Sequence, residues 1–200
     1  MSAFRLRTLP IVHDWVSRVV KPGDTVIDAT VGNGHDTLFL ADLVGPAGRV
    51  YGFDIQQEAV TRTAAALAQA GLEGAASLHA CCHSTLQEYV SGEVSACMFN
   101  LGYLPSGDKS IITQAQSTIS ALEQALQLLA ASGLITIMCY PGHDGGQSEC
   151  LAVEAWAQSL PTPDHLVMKV QPHNTIKAAP YLLAIQRNKN PLPQSPDGVR

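Results

Sequence analysis

The stretch TVIDATVGNGHDTLFL, residues 25–40, changes its pattern twice. Residues 25–29 are mostly apolar and β-branched, which predicts a buried strand. Gly32 and Gly34 interrupt this pattern in a short loop, and the following apolar positions predict a helix over residues 36–43. A strand that ends in a glycine loop and leads directly into a helix is typical of the first unit of an α/β fold.

The rest of the chain repeats this alternation of strand and helix. Further strands are predicted at 49–54, 76–80, 94–99, 134–139, 165–171 and 181–186. Further helices are predicted at 56–70, 84–90, 111–131 and 147–159. The pattern predicts a mostly parallel sheet with helices on both faces, and its last two strands could form an antiparallel pair. We expect one domain over residues 1–187 and a polar, proline-rich tail over residues 188–200.

Composition excludes several functional classes. The chain has 200 residues, a net charge of −5 and no apolar run long enough to span a bilayer. We expect neither a membrane segment nor a secretory signal. The five cysteines include no CxxC pair, and the seven histidines share no metal-ligand spacing with them. We therefore expect a cytoplasmic protein with neither a disulfide scaffold nor a metal site.

Positive charge is concentrated near the two ends of the sequence. These basic residues are Arg5, Arg7, Arg18, Lys21, Lys169, Lys177, Arg187, Lys189 and Arg200. If the ends meet in space, they form a local basic surface that could contact RNA phosphates. The alternative is that both ends are simply solvated.

The loop after the first predicted strand could bind a nucleoside cofactor. Gly32 and Gly34 would allow the backbone to approach a ligand, and Asp54, at the end of the second strand, could accept hydrogen bonds from ribose hydroxyls. A dinucleotide site would favour a third glycine where Thr37 stands. The acid at Asp28 suits S-adenosylmethionine better, because that molecule carries an ammonium group. The alternative is a tight turn without a ligand.

The segment NLGYLPSGDK, residues 100–109, follows the fourth predicted strand. Its first four residues resemble the (Asp/Asn/Ser)-Pro-Pro-(Tyr/Phe) motif of amino-methylating enzymes, without the two prolines. The carboxamide oxygen of Asn100 could accept N–H hydrogens and orient an attacking amine. Tyr103 could stack on a planar base. The alternative is an ordinary turn, because Gly, Pro, Ser and Asp are common in loops.

Two histidines follow strands at the same predicted edge. His83 lies after the third strand, where the adenine of a nucleoside could bind, but a buried core histidine is an equal alternative. His143 lies in the loop after the fifth strand and could take a proton from an ammonium substrate. A residue of the loop that begins the next helix is the alternative for His143.

Four blocks together resemble one family. They are DATVGNGHDT (28–37), GFDIQ (52–56), NLGYLP with GDK (100–105 and 107–109), and YPGHDGG (140–146). Over roughly residues 8–186 they resemble the tRNA 5-(aminomethyl)-2-thiouridine methyltransferases of the MnmM type, long labelled "putative rRNA methylases". The resemblance implies a class I methyltransferase with a seven-stranded, Rossmann-like sheet and an antiparallel last strand. Ser106 and Ala179 depart from the family pattern on the expected substrate side.

The leading hypothesis is therefore an RNA N-methyltransferase that uses S-adenosylmethionine, releases S-adenosylhomocysteine and methylates the aminomethyl group of a tRNA wobble uridine. Residues expected to hold the donor are Asp28, Thr30, Gly32, Asn33, Gly34, His35, Asp36, Thr37, Asp54, Gln56, His83 and Asn100. Residues expected to serve the acceptor are Asn100, Tyr103, Asp108 and His143. The alternatives are methylation of rRNA or of a small-molecule or protein amine, and a nucleotide-binding domain or NAD dehydrogenase. A homodimer could widen the basic surface.

Overall fold

A computed structural model describes residues 8–102 and 112–189 of the chain. Its strands are β1 (Thr25–Asp28), β2 (Arg49–Phe53), β3 (Ala76–His79), β4 (Val94–Asn100), β5 (Leu129–Cys139), β6 (His165–Val170) and β7 (Tyr181–Arg187). Its helices are α1 (Thr8–Val19), α2 (His35–Val44), α3 (Gln57–Ala70), α4 (Ala115–Leu128) and α5 (Gly146–Gln158), with short 3₁₀ helices at Glu73–Ala75 and His83–Glu88. Most of the predicted tail, residues 190–200, lies outside the described part of the chain.

The seven strands form one sheet in the order β3-β2-β1-β4-β5-β7-β6. β1 to β5 pair in parallel, and β7 runs antiparallel between β5 and β6. The predicted sheet, including its antiparallel last strand, is confirmed. The strand order reverses between β1 and β4, which in open α/β sheets is the position where ligands bind.

Helices cover both faces of the sheet, as the sequence predicts. One buried cluster joins the sheet to α1, α2 and α3, and the other joins it to α4, α5 and the 3₁₀ helix after β3. Within β4, Ala96 and Met98 belong to the first cluster, whereas Cys97 and Phe99 belong to the second. This alternation fixes β4 in the centre of the fold, so that Asn100 emerges at the carboxyl edge.

The helix α1 was not predicted from the sequence. Its segment contains Pro10 and several β-branched residues, which are weak helix formers. Pro10 is tolerated because it lies in the first turn. Val12 and Val16, one helical turn apart, are buried against the sheet. Tertiary packing, rather than local helix propensity, therefore stabilises α1.

The predicted boundary between α4 and β5 was wrong. The helix ends at Leu128 rather than residue 131, and the strand begins at Leu129 rather than residue 134. The pairing of β4 with β5 shifts here, and Ser132 has a positive φ of 67°. An irregular, bulged strand start therefore replaces the last predicted helical turn. The helix predicted at 84–90 is also shorter and of the 3₁₀ type.

In the described ranges, no helix combines the length and the apolar character needed to cross a membrane.

Candidate active site at the carboxyl edge of the sheet

A cavity of about 550 Å³ opens at the carboxyl edge of the central strands. The structure brings most of the predicted site residues to its wall, namely Thr30, Gly32, Asn33, His35, Asp36, Asp54, Gln56, His83, Asn100 and His143. Asp28, Gly34 and Thr37 do not line it. Tyr103 and Asp108 lie outside the described residues.

Asp28 stabilises the glycine loop from the interior of the protein. It is fully buried, and its carboxyl accepts hydrogen bonds from the Thr37 hydroxyl at 2.6 Å and from the Thr30 backbone N–H at 3.2 Å. Burial, helped by the negative charge of Asp36, raises the pKa of Asp28 to about 7. Asp28 therefore fixes the shape of the loop without lining the cavity.

Glycine occupies the two loop positions for different structural reasons. Gly32 has a φ of 51°, and its N–H donates to Oδ2 of Asp54 at 2.8 Å. Gly34 has a φ of 81°, and a Cβ there would lie 2.6 Å from the hydroxyl oxygen of Thr63 on α3. Gly34 therefore allows α2 to begin close to α3.

Asp54 connects the first loop to the end of β2. Besides the Gly32 N–H on Oδ2, its Oδ1 accepts the N–H of Gln56 at 2.9 Å. Backbone N–H groups thus orient both oxygens. Each oxygen can still accept a further hydrogen bond, and Asp54 lines the cavity. This arrangement could accept hydroxyl hydrogens of a ribose.

Asn100 is held by two neighbours on the cavity wall. Its Nδ2 donates to Oδ2 of Asp36 at 2.5 Å, and its backbone N–H donates to the Thr30 hydroxyl at 2.7 Å. Because a carboxylate only accepts, this contact identifies the carboxamide nitrogen. The remaining polar atom of the group is its oxygen, which suits an incoming N–H donor.

His83 offers an acceptor nitrogen. Its Nδ1–H donates to the carbonyl of Ala29 at 3.1 Å, which fixes the tautomer. Burial lowers the pKa of His83, so the ring is neutral near pH 7. Its Nε2 is buried and has no hydrogen-bond partner among the described residues. A ligand N–H in the cavity could complete this site.

His143 packs between Gly102, which follows β4, and Gly146, the first residue of α5. A Cβ on Gly102 would lie 3.1 Å from its Nε2, and one on Gly146 would lie 2.7 Å from the same atom. Its Nδ1 lies 2.8 Å from the carbonyl oxygen of Asp144, so this nitrogen donates. The loops after β4 and β5 therefore meet at the His143 ring.

A buried carboxylate that was not predicted from the sequence, Glu149, stabilises the contact between Gly102 and Thr113. Gly102 and Thr113 exchange hydrogen bonds, with Gly102 N–H to the Thr113 hydroxyl at 2.7 Å and Thr113 N–H to the Gly102 carbonyl at 2.9 Å. The Thr113 hydroxyl donates to Glu149 at 2.6 Å, and Thr118 donates to the other oxygen of that carboxylate at 2.7 Å. Glu149 thus fixes Thr113 and, through it, Gly102; the predicted residues Tyr103 and Asp108 fall between these two positions in the sequence.

The cavity wall is acidic to neutral. Among the described residues it contains the carboxylates Asp36 and Asp54 and three imidazoles, without a lysine or arginine. Such a surface attracts cations more than anions.

Several basic residues predicted to contact RNA have partners elsewhere. Arg18 pairs with Asp14 on α1 at 2.9 Å, and Lys169 pairs with Glu154 at 2.6 Å. Arg187 donates to the carbonyl of Leu129, at the amino end of β5 and away from the cavity. Arg5, Arg7 and Arg200 lie outside the described ranges.

Other wall residues carried no sequence signal. Leu9 comes from α1, Ile112 and Ser117 from around the start of α4, and Ala178 and Pro180 from the segment before β7. They reach the cavity through the tertiary arrangement rather than through a strand-end motif. Tyr140 lies three positions before His143, and its place directly after β5 was the available signal.

The strand order with an antiparallel β7, the glycine loop after β1 and the acid after β2 together define a class I methyltransferase. The sequence profile of the family described as "Putative rRNA methylase" matches residues 50–186. The chain belongs to this family and is an S-adenosylmethionine-dependent methyltransferase. The family expected from the sequence blocks is confirmed.

Individual relatives cover nearly the whole chain. A chloroplastic tRNA (mnm(5)s(2)U34)-methyltransferase of Arabidopsis thaliana is 40% identical over 196 residues, covering 93% of this chain and 71% of that protein. A "putative rRNA-methylase" structure from Clostridium thermocellum is 40% identical with a TM-score of 0.90, covering 92% of this chain and all (100%) of that one. A "putative methyltransferase" from Streptococcus mutans, solved in complex with S-adenosylhomocysteine, is 36% identical with a TM-score of 0.84, covering 92% and 99%.

Proposed function

We propose that the protein transfers a methyl group from S-adenosylmethionine to the amine of a 5-aminomethyl-(2-thio)uridine at the wobble position of tRNA. The observation that carries the proposal is the carboxamide of Asn100, held on the cavity wall by a 2.5 Å hydrogen bond from its nitrogen to Asp36. The name of the 40% identical Arabidopsis relative supports the choice of a tRNA wobble uridine.

The donor fits the part of the cavity next to β1, β2 and the segment after β3. Asp54 would accept ribose hydroxyls, and the unpartnered, buried Nε2 of His83 would accept an adenine N–H. The backbone near Gly32 and Asn33, with Gln56 and His35, would form the surrounding wall. Asp28, Gly34 and Thr37 would act indirectly, by fixing the loop.

Asn100 would orient the acceptor. The bound donor supplies an electrophilic methyl group to the nitrogen lone pair of the acceptor in a single displacement. The carboxamide oxygen of Asn100 would accept an N–H hydrogen of the amine and so direct its lone pair. Because the Asp36 contact holds the nitrogen of the carboxamide, the oxygen is kept in the acceptor role.

The charge of the wall favours an amine acceptor over a carboxylate. An aminomethyl group enters mainly as an ammonium ion, which the carboxylates of Asp36 and Asp54 attract. The amine must lose a proton before it can attack. His143, which lines the cavity, would take that proton.

Other expected features remain predictions. They are base stacking by Tyr103, an acceptor role for Asp108, phosphate contacts by Lys109 and the basic ends, a homodimer, the absence of a metal and a cytoplasmic location.

The test is methylation of defined RNA. The protein is incubated with methyl-labelled donor and with the same tRNA species carrying or lacking the aminomethyl group at the wobble uridine. We expect label only in the aminomethylated tRNA, at a single nucleoside identified after digestion. Equal labelling of both tRNAs, or labelling of neither, would contradict the proposal.

Two further substrates serve as controls in the same assay. Ribosomal RNA tests the activity suggested by the family description, and 5-aminomethyluridine nucleoside tests a small-molecule amine acceptor. Labelling of either substrate at the rate seen for aminomethylated tRNA would replace the tRNA assignment.

A further inference from the structure

His13 belongs to none of the sequence motifs, yet it contacts the site from helix α1. Its Nε2 lies 2.7 Å from Oδ1 of Asp36, the carboxylate whose other oxygen binds Asn100. Because the carboxylate accepts, His13 donates. The three side chains therefore form a continuous chain of hydrogen bonds from α1, through the start of α2, to the end of β4.

The position of the His13 ring is fixed from two sides. It stacks on Phe39 with ring centroids 4.0 Å apart and an interplanar angle of 8°. Its neighbour Val12 and the next-turn residue Val16 are buried in the core and hold α1 in place. The imidazole therefore meets Asp36 with little freedom, and Asp36 itself is only 8% exposed.

We propose that His13 is a positioning residue for methyl transfer: its hydrogen bond to Asp36 fixes the carboxylate that holds the Asn100 carboxamide with its oxygen toward the acceptor amine. This inference rests on the proposed function, because it requires Asn100 to orient the amine. His13 itself touches no reacting atom in this scheme.

The physical reason lies in the two-fold ambiguity of a carboxamide. Oxygen and NH₂ occupy nearly the same space, so only hydrogen bonding decides which of them faces the substrate. The hydrogen bond from the carboxamide nitrogen to Asp36 fixes this orientation. Without His13, the Asp36 carboxylate can rotate away from Asn100. A flipped carboxamide would present N–H donors to the amine and oppose the reactive orientation.

Two substitutions separate the hydrogen bond from the ring. His13→Phe keeps a ring that can stack on Phe39 but removes the donor. His13→Gln loses the ring but carries an amide N–H that can reach the same carboxylate. We expect His13→Phe to lower kcat about five- to fifty-fold with little change in affinity for S-adenosylhomocysteine. We expect His13→Gln to recover most of this loss.

His165→Phe is the matched control. His165 begins β6 and pairs with Arg187, at the edge of the sheet far from the cavity. The same replacement there should leave kcat unchanged. Thermal unfolding of all variants separates a lowered kcat from a loss of folded protein.

A double-substitution cycle tests the route through Asn100. If His13 acts only by holding that carboxamide, His13→Phe should add no further loss to Asn100→Ala. Additive losses, an unchanged kcat in His13→Phe, a His13→Gln as impaired as His13→Phe, or a parallel loss of S-adenosylhomocysteine affinity would each overturn the inference.

The two proposals fail in distinguishable ways. Full activity of Asn100→Ala on aminomethylated tRNA would overturn the role of Asn100 and, with it, that of His13. An impaired Asn100→Ala beside a fully active His13→Phe would overturn the His13 inference alone.

Discussion

The backbone N–H of Gly32 donates to the side chain of Asp54 across 2.8 Å, which ties the loop after β1 to the end of β2. These residues are twenty-two positions apart, and both line the cavity. The contact gives Asp54 a structural role beside its predicted one, because the carboxylate expected to hold a ribose also shapes the neighbouring loop.

Replacing Asp54 should therefore weaken donor binding in two ways. In Asp54→Ala the N–H groups of Gly32 and Gln56 lose their acceptor, and the ribose hydroxyls lose theirs. We expect affinity for S-adenosylhomocysteine, measured by calorimetry, to fall by roughly two orders of magnitude, since hydrogen bonds to a charged group contribute about 1.5–3 kcal/mol each. Asp54→Asn, which keeps one acceptor oxygen, should lose less.

The same calorimetry tests the identity of the cofactor. The wild-type protein should bind S-adenosylhomocysteine more tightly than NAD. Tighter binding of NAD would contradict the donor assignment, and unchanged S-adenosylhomocysteine affinity in Asp54→Ala would place the donor elsewhere in the cavity.

Asn100→Ala should separate chemistry from donor binding. The substitution removes the oxygen that orients the amine but leaves Asp54 and His83 in place. We expect kcat with aminomethylated tRNA to fall about ten- to a thousand-fold while donor affinity stays nearly constant. Asn188→Ala is the control, because Asn188 binds the carbonyls of Thr162 and Pro163 away from the cavity. A large loss of donor affinity in Asn100→Ala would instead assign Asn100 to the donor side.

Two glycines in the same backbone conformation allow strain and packing to be separated. Gly34 and Gly71 have φ values of 81° and 70°, but a Cβ on Gly34 would overlap Thr63, whereas a Cβ on Gly71 would meet nothing within 4 Å. Gly71→Ala should lower the free energy of unfolding by about 1–2 kcal/mol through strain alone.

Gly34→Ala should cost more than Gly71→Ala, because α2 must also move away from α3. It should in addition weaken donor binding, since it displaces the loop that carries Gly32. Denaturant unfolding and calorimetry measure the two effects. Equal losses of stability in both variants would mean that the contact with Thr63 relaxes without consequence.

The sequence predicted the sheet and the strand-end residues for the same physical reason. Buried parallel strands produce continuous apolar runs, and the fold brings their carboxyl ends to one edge, so Asp54, Asn100 and His143 could be placed together without coordinates. Asp28 was also predicted to hold the donor. The residue is fully buried outside the cavity wall, and its carboxyl accepts hydrogen bonds from Thr37 and Thr30.

Residues that depend on tertiary packing could not be predicted. Helix α1 has weak local propensity, and His13 reaches Asp36 only because that helix packs beside α2. Glu149 likewise has no motif around it. Its role depends on Thr113 and Thr118, which the fold brings to it from more than thirty residues away in sequence. Hydrogen bonds between distant side chains leave no periodic signal in one sequence.

The raised pKa of Asp28 predicts an unusual dependence of the free energy of unfolding on pH. Its pKa is raised from 3.8 to about 7 in the folded protein, chiefly by burial. Between these two values the unfolded chain releases a proton that the folded protein retains, so this residue's contribution to stability decreases as the pH rises. Its stabilising contribution is complete below about pH 4 and is lost as the pH passes through about 7.

Asp28→Asn removes this titration and keeps a side-chain oxygen that can accept the Thr37 hydroxyl. The stability of wild type relative to the variant should therefore fall with rising pH, by up to about 1.4 kcal/mol per pH unit within that window. Denaturant unfolding of both proteins across the window measures the difference, with Asp42→Asn, an exposed position on α2, controlling for the loss of a carboxylate. A difference that stays constant, or that rises with pH, would mean that Asp28 is already ionised in the folded protein and that the Thr37 and Thr30 donors outweigh the penalty of its burial.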